Sequence, residues 1–451
     1  MYHKTPNAEW RSRMLHSMNK FRNKFSNKFS NKFCLYYIVT ALHLCSFLYA
    51  DPKTTFYALK HEDLSPVRPV SEYKLLTNGQ KSFELKKELL GFSSDGFFLI
   101  DPRLSTIDLF SFEYRPGKVA NAFTQSLIAY ADAGKEVNVA LTDTLQRVKE
   151  LELLGNRVDY FQGSLLYTLY TITATNNAKV FLTQKGADQT DPLAKQGTLI
   201  VGSRNIADCY HIEECETNVS SSTCYQDIEL LLESPSLASD AHQLLGMLKM
   251  RFGMYLPIPS FIPETSNEEL ASHSTLARFF MSYPFAERPS FMKVMIPLIN
   301  SAERSIVLFS PYHSPSKAFT KAIEAAIEKG VEVTIISNLT QDVKNNPLWD
   351  KIYQSSLNKY KELNANVLMW SSPSFFNAKV ATFDDEVTYI GSGNFNLRSA
   401  QTDIESGCLI LSKELNEEIK AICNTFKLSP YELQPISIFE RIQIDVLKAY
   451  F

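Results

Sequence analysis

No two cysteines in this chain stand in the Cys-x2-Cys spacing of structural zinc sites, so no zinc is expected, and nothing else in the sequence implies another metal or a cofactor. The seven cysteines are an odd number, which leaves at least one thiol unpaired within a monomer. Cys34 and Cys45 fall in an N-terminal segment; Cys408 and Cys423 read as single buried thiols. Cys209, Cys215 and Cys224 cluster, and a disulfide among them is expected if the chain is exported, with the pairing left open. A cationic excess is also missing. Lys and Arg number 46 against 49 Asp and Glu, and eight of the basic residues lie in residues 1–50 against Glu9 alone. The remainder therefore carries 46 − 8 = 38 basic and 49 − 1 = 48 acidic residues, a balance of −10. Such a body is poorly suited to non-specific nucleic-acid binding, which depends on attraction to phosphates.

The N-terminus differs from everything that follows. Lys4, Arg11, Arg13, Lys20, Arg22, Lys24, Lys28 and Lys32 precede an uncharged run of 17 residues, Cys34–Ala50, and then Asp51-Pro52. That order reads either as a secretory signal cut after Ala50 or as an uncleaved anchor, at the lower length limit for a bilayer span. Either way the chain is expected to be exported across, or anchored to, the inner membrane, as a secreted, periplasmic or membrane-associated protein. Asn-Lys-Phe-Ser recurs with period four, setting Phe21, Phe25, Phe29 and Phe33 beside Lys20, Lys24, Lys28 and Lys32. A helix of that pattern suits an anionic membrane surface; a solvated leader is the alternative.

The body is duplicated. Thr106–Tyr114 (TIDLFSFEY) parallels Ser305–His313 (SIVLFSPYH), each a β-branched and aromatic strand pattern. Helix-period segments follow at Lys118–Ala133 and Lys317–Lys329, with Ser314 or Ser316 as a cap and Gly330 as a stop in the second. Further strands are expected at Val137–Leu141 and Val331–Ile336, and at Val158–Phe161 and Val367–Trp370. Strand, helix, strand, strand, twice over, makes two α/β layers. Residues 51–80 are taken as a lead-in, 81–254 as the first domain, 255–290 as a proline-rich connection, and 291–451 as the second domain with C-terminal helices.

Asn-Ala-Lys-Val occurs at Asn177–Val180 and again at Asn377–Val380, followed by Gly202-Ser203-Arg204-Asn205 and by Gly391-Ser392-Gly393-Asn394. The second copy spells Asn377-x-Lys379-x4-Asp384-x6-Gly391-Ser392-x-Asn394. This resembles the phospholipase D superfamily signature, His-x-Lys-x4-Asp-x6-Gly-Ser-x-Asn, with asparagine where the family has histidine. Arg398-Ser399 and Glu405 also stand where many members carry them. The first copy resembles the bacterial cardiolipin-synthase-like branch through Gly202–Asp208, Tyr210 and Gln226-Asp227. Gln184 replaces the family aspartate there, and Asp188 or Asp191 in the loop around Gln184–Gln196 are alternatives for it.

The resemblance implies two similar α/β domains packed about a pseudo-twofold, with one site between them. In the family one histidine attacks phosphorus and the other protonates the leaving oxygen, while lysines and the Ser and Asn of Gly-Ser-x-Asn hold the phosphate. Carried over, the catalytic positions are Asn177, Asn377, Lys179, Lys379, Asp384 and Glu405. The phosphate-binding set is Lys179, Ser203, Asn205, Lys379, Ser392 and Asn394. A carboxamide nitrogen is neither a nucleophile nor a base near neutral pH, so histidine chemistry is not available at Asn177 or Asn377. His313, at the end of the second repeat strand, is the candidate substitute nucleophile, with His211 behind it. Asp227 and Glu405, lacking a histidine to orient, are expected to pair with the lysines. The expected ligand is a phospholipid or another phosphodiester. Catalysis is either lost or, in the alternative, carried by His313 in an active phosphodiesterase or phosphatidyltransferase.

Overall fold

Two runs of β-branched and aromatic residues become the inner strands of two sheets in a computed structural model of the protein. It describes residues 51–61, 63–142, 149–161, 176–186, 196–212, 224–251, 261, 263–283, 290–338, 347–372 and 374–450. The expectations for residues 1–50, for Cys215 and for Asp188 and Asp191 fall outside that set.

Helix α1 (Pro52–Ala58) opens the described chain, capped by the Asp51 carboxylate on the Thr54 N–H. The short β1 (Arg68–Pro69) joins the sheet of the second half, and β2 (Glu72–Leu76) begins the first sheet. Next come α2 (Gly79–Leu89), β3 (Leu104–Ser111), α3 (Lys118–Asp132), β4 (Glu136–Thr142), β5 (Val158–Phe161), β6 (Val180–Lys185) and β7 (Gln196–Gly202). Helix α4 (Asp208–His211), β8 (Tyr225–Gln226), β9 (Glu229–Glu233) and α5 (Pro235–Arg251) complete this half. The sheet order is β2-β9-β7-β6-β3-β4-β5.

After α6 (Asn267–Ala271), the second half runs β10 (Leu276–Ser282), α7 (Ser290–Ser301), β11 (Ser305–Phe309), α8 (Lys317–Glu328), β12 (Glu332–Asn338), α9 (Pro347–Glu362) and β13 (Asn366–Trp370). Then come β14 (Phe375–Phe376), β15 (Val380–Phe383), β16 (Val387–Gly391), α10 (Leu397–Gln401), β17 (Glu405–Leu411), α11 (Lys413–Thr425), β18 (Leu428–Pro430) and α12 (Ile438–Tyr450). Its sheet reads β1-β10-β17-β16-β15-β11-β12-β13-β18. Removing the two edge strands leaves β10-β17-β16-β15-β11-β12-β13, which matches the first sheet strand for strand in order and direction. The duplication seen in the sequence is thus a duplication of topology.

Local chemistry accounts for the elements. Helix α8 starts where the Ser316 hydroxyl accepts the Phe319 N–H and stops before Gly330, whose φ of +87° suits a residue without a Cβ. Its buried face is Phe319, Ala322, Ile323 and Ala326, at helical spacing. One central core joins the halves, with Val180, Leu182, Val201 and Leu230 of the first sheet among the same cluster as Val380, Ile390, Cys408 and Ile410 of the second. Helices cover each sheet's outer face around two further cores.

Three expectations are corrected here. The proline-rich 255–290 stretch is not simply a connection: Leu276–Ser282 is β10, buried along its whole length and paired with β17. Part of the lead-in belongs to the other half, because β1 adds to β10 and the Arg278 guanidinium donates to the Phe56 and Leu59 carbonyls at 2.8 Å each.

Asp384 is a structural residue. It and Asp385 take φ of 52° and 62° in the three-residue turn from β15 to β16, a left-handed pair closed by the Glu386 N–H on the Phe383 carbonyl at 3.1 Å. Its carboxylate accepts the backbone N–H groups of Glu303 (2.6 Å), Arg304 (2.7 Å) and Ser305 (2.9 Å), tying that turn to the start of β11. Asp384→Ala strands those donors and is expected to cost about 2–4 kcal/mol, read as a lower urea midpoint, with the interface chemistry described below unchanged.

Candidate functional site

The two lysine motifs enter the interface by crossed backbone pairing. The Asn177 N–H donates to the Ile404 carbonyl and the Asn377 N–H to the Gln226 carbonyl, each at 2.8 Å. Asn176 forms a parallel bridge to Ile404, and β14 pairs in parallel with β8. Each motif is therefore held by the opposite half before its own strand begins.

The side chains cross in the same way. Asn177 Nδ2 donates to both Glu405 oxygens, at 2.9 and 3.1 Å, and to the Ser392 carbonyl at 3.1 Å. Asn377 Nδ2 donates to Asp227 Oδ2 at 2.8 Å and to the Ser203 carbonyl at 3.1 Å. On its other side each carboxamide accepts from its own lysine. Lys179 Nζ lies 2.6 Å from Asn177 Oδ1 and 2.8 Å from Asn177 O; Lys379 Nζ lies 2.7 Å from both equivalent oxygens of Asn377. Only one amide orientation satisfies a carboxylate on one side and an ammonium on the other, which fixes the assignment. Each ammonium spends two of its three N–H bonds on asparagine, leaving one for a ligand.

The carboxylates do not meet the lysines directly, contrary to expectation; the amides stand between them. Ser392 Oγ donates to Glu405 Oε2 at 2.5 Å, Ser399 Oγ to Glu405 Oε1 at 2.6 Å, and Ser203 Oγ to Asp227 Oδ1. The two Gly-Ser-x-Asn serines thus orient the acids instead of being free for phosphate. Asn205 is also turned away, its Oδ1 holding the Glu113 N–H at 3.2 Å and its Nδ2 the Tyr210 hydroxyl at 2.9 Å. Asn394 is half-buried, with Ser310 Oγ 3.4 Å from its Oδ1.

Both lysines are buried, at 5% and 3% exposure, and that burial lowers both their pKa values. Lys379 is pushed down to about 7, chiefly by burial; Asp227 opposes the shift and the Lys179 charge adds to it. Burial and the neighbouring Asp403 push Glu405 up.

Neither substitute histidine reaches this cluster. His313 is fully buried between Phe395 and Tyr360, and burial lowers its pKa to about 3 against the smaller opposing effect of the Ile336 backbone. It is a core residue and no nucleophile for the interface. His211 sets its ring nitrogens 3.2 Å from the Gly79 carbonyl and 3.1 Å from the Asn205 carbonyl. Burial, with Lys86 and Arg204 nearby, lowers it to about 3. Among the described residues no histidine hydrogen-bonds to Asn177, Lys179, Asn377 or Lys379.

Other neighbours were not legible as site residues. The Phe112 ring lies 5.7 Å from Lys179 Nζ, and the Glu113 charge acts on the same lysine while Oε1 of that carboxylate pairs with Arg115 at 2.6 Å. Rings of Tyr210, Tyr225, Phe375, Tyr312 and Tyr353 touch in succession from the first half to the second. Their sequence separation hides them; Tyr210 alone is singled out, through the first motif's resemblance. Cys224 is disulfide-bonded to a partner outside the described residues, and Cys209 carries a free thiol.

Residues 295–426 match the family described as "Cardiolipin synthase, PLD-like domain". Cardiolipin synthase of Listeria monocytogenes is 26% identical over 164 residues, which cover 36% of this chain and 33% of that protein. Cardiolipin synthase A of Pseudomonas putida is 28% identical over 165 residues, with the same two shares. Phosphatidylserine synthase of Haemophilus influenzae superposes with a TM-score of 0.61 at 13% identity, over 88% of this chain and 97% of that one. Residues 295–426 thus hold a phospholipase D-like domain of the cardiolipin-synthase-like kind. The strand-for-strand repeat of the chain's two sheets agrees with a two-domain phospholipase D-like fold. The matched stretch spans about a third of the curated relatives' length, and the Haemophilus likeness concerns the fold alone. Polyphosphate kinase of Porphyromonas gingivalis shares the fold more loosely, with a TM-score of 0.52 over 84% of this chain and 53% of that one.

Proposed function

We propose that this phospholipase D-like chain binds a phosphodiester, a phospholipid headgroup above all, between Lys179 and Lys379, and does not cleave it by the two-histidine route. One observation carries the reading: both histidine positions hold asparagines whose amides are saturated by a carboxylate on one side and a lysine on the other. Among the described residues the site keeps its cations and their supports, and no imidazole stands where it could attack phosphorus. The cardiolipin synthase relatives support phospholipid as the ligand class. Export or membrane anchoring belongs to the same proposal, supported by the basic and apolar residues 1–50 and by the disulfide at Cys224.

The test is titration with a soluble phosphodiester, whose own charge is constant across the pH range used. Binding requires protonated lysines, so affinity is expected to fall as pH rises through about 7, where Lys379 loses its proton. Lys179→Ala with Lys379→Ala is expected to lower affinity at least ~100-fold, taking about 1.5–3 kcal/mol for each lost charged hydrogen bond. Folding of that variant is checked by circular dichroism, and the wild-type pH profile stands independently of it. Affinity that is flat with pH, or unchanged in a folded double variant, overturns the proposal.

A further inference from the structure

On the outer helical layer of the second half, away from the lysine pair, a cleft of 490 Å³ lies between α8, α9 and α12. Its wall includes Lys317 and Lys321 from the first turns of α8, Lys359 from α9 and Arg441 from α12, with Glu362 as its one acid. Lys317, Lys321 and Arg441 have no ion-pair partner among the described residues; Lys359 has Glu324 at 3.9 Å. Tyr360 is part of the same wall. It is 1% exposed, and its hydroxyl is buried with no hydrogen-bond partner. A buried donor left without an acceptor is costly, and an anionic oxygen seated in the cleft would supply one. The N-terminal turn of α8 adds partial positive charge to the same place.

The helix that brings Arg441 to the cleft also exposes apolar side chains. Ile438 is 80% exposed, Phe439 70% and Ile442 58%, with Leu433 just upstream at 56%. Ile438 and Ile442 are one turn apart, on the side of the helix opposite Ile444, which is buried at 1% exposure. Ile444 lines the cleft beside Arg441. Exposed apolar groups on one helix, set beside a cleft lined by Arg441 and the lysines of α8, are what an interfacial surface presents to phosphate headgroups and the acyl chains below them. The apolar stripe has other conceivable occupants, and charge argues against two of them. Residues 1–50 carry eight basic residues against one acid, and a basic cleft repels them. A second copy packed face to face sets two basic clefts together. No helix among the described residues is long and apolar enough to cross a membrane, so contact by α12 would be with the surface.

We propose that α12 and the cleft beside it form a docking surface for an anionic phospholipid bilayer, with Ile438, Phe439 and Ile442 entering the interface and the Lys317–Lys321–Arg441 cluster taking a headgroup phosphate. The ligand class is shared with the proposed function, but the test reads a different surface, so either can fail alone. Amide hydrogen exchange is measured on the full-length protein with vesicles of phosphatidylglycerol and phosphatidylcholine, with vesicles of phosphatidylcholine alone, and with inorganic phosphate. Slowing by at least ~10-fold in residues 435–444 is expected with the anionic vesicles only. The slowing is expected to vanish in Ile438→Ser with Phe439→Ser and Ile442→Ser, and in Lys317→Gln with Lys321→Gln and Arg441→Gln. These residues are exposed or line an open cleft, and an unchanged melting temperature checks that both variants fold. No slowing while the protein sediments with anionic vesicles overturns the proposal. So does equal slowing by phosphate alone, which marks a small-anion site, or slowing that needs only higher protein concentration, which marks a dimer.

Discussion

Asn177→His together with Asn377→His is expected to raise headgroup release from a phospholipid by at least ~10² over the wild-type chain, and by ~10⁴ if both imidazoles settle well. The supports are already in place. A histidine at 177 would find Glu405, held by Ser392 and Ser399, to accept one ring N–H. A histidine at 377 would find Asp227, held by Ser203. A carboxylate that fixes the tautomer leaves the other ring nitrogen facing the anion site, one to attack phosphorus and the other to protonate the leaving oxygen. Either replacement alone supplies half of that pair and is expected to give little. The measurement is choline or glycerol release from labelled phospholipid, wild type beside the double variant and both single variants. Wild-type release as fast as that of the double variant would falsify the loss of chemistry.

The separation between binding and reacting explains which parts of the site were legible in the sequence. Asn177, Lys179, Asn377 and Lys379 were visible because motif spacing reports which residues a strand end must present. Two Asn-Ala-Lys-Val copies before two Gly-Ser-x-Asn copies are a local pattern, and the strand order repeats just as they do. Motif membership says nothing of where along a strand a residue faces, and Asp384 shows the result. It shares the signature with Lys379 yet sits at the far end of β15, holding a turn. His313 misled for a related reason. Its repeat position is shared with Tyr114, and both are buried core residues, so the repeat was reporting packing and not chemistry. Strand β10 was missed because the prolines around it read as loop. A seven-residue strand gets its evidence from β17, some 130 residues away, and no local pattern carries that.

The largest stability effect is expected at Glu405. Glu405→Ala removes the acceptor for Asn177 Nδ2 and for the hydroxyls of Ser392 and Ser399, all at one buried point. It also removes the leading charge that offsets the burial of Lys179. Breaking one member of a buried charged network costs about 3–5 kcal/mol, because the partners stay behind unpaired. Glu405→Gln keeps the shape and an oxygen for Asn177, so it is expected to recover the hydrogen bonds but not the charge, and to fall between wild type and alanine. A double-mutant cycle isolates the link across the interface. Asn177→Ala and Glu405→Ala touch one another from opposite halves, and their coupling is expected to be about 1.5–3 kcal/mol, as for a hydrogen bond to a charged group. Additive effects in urea unfolding would mean that the amide and the carboxylate act separately. The crossed pair would then not be what holds the two halves in register around the lysines.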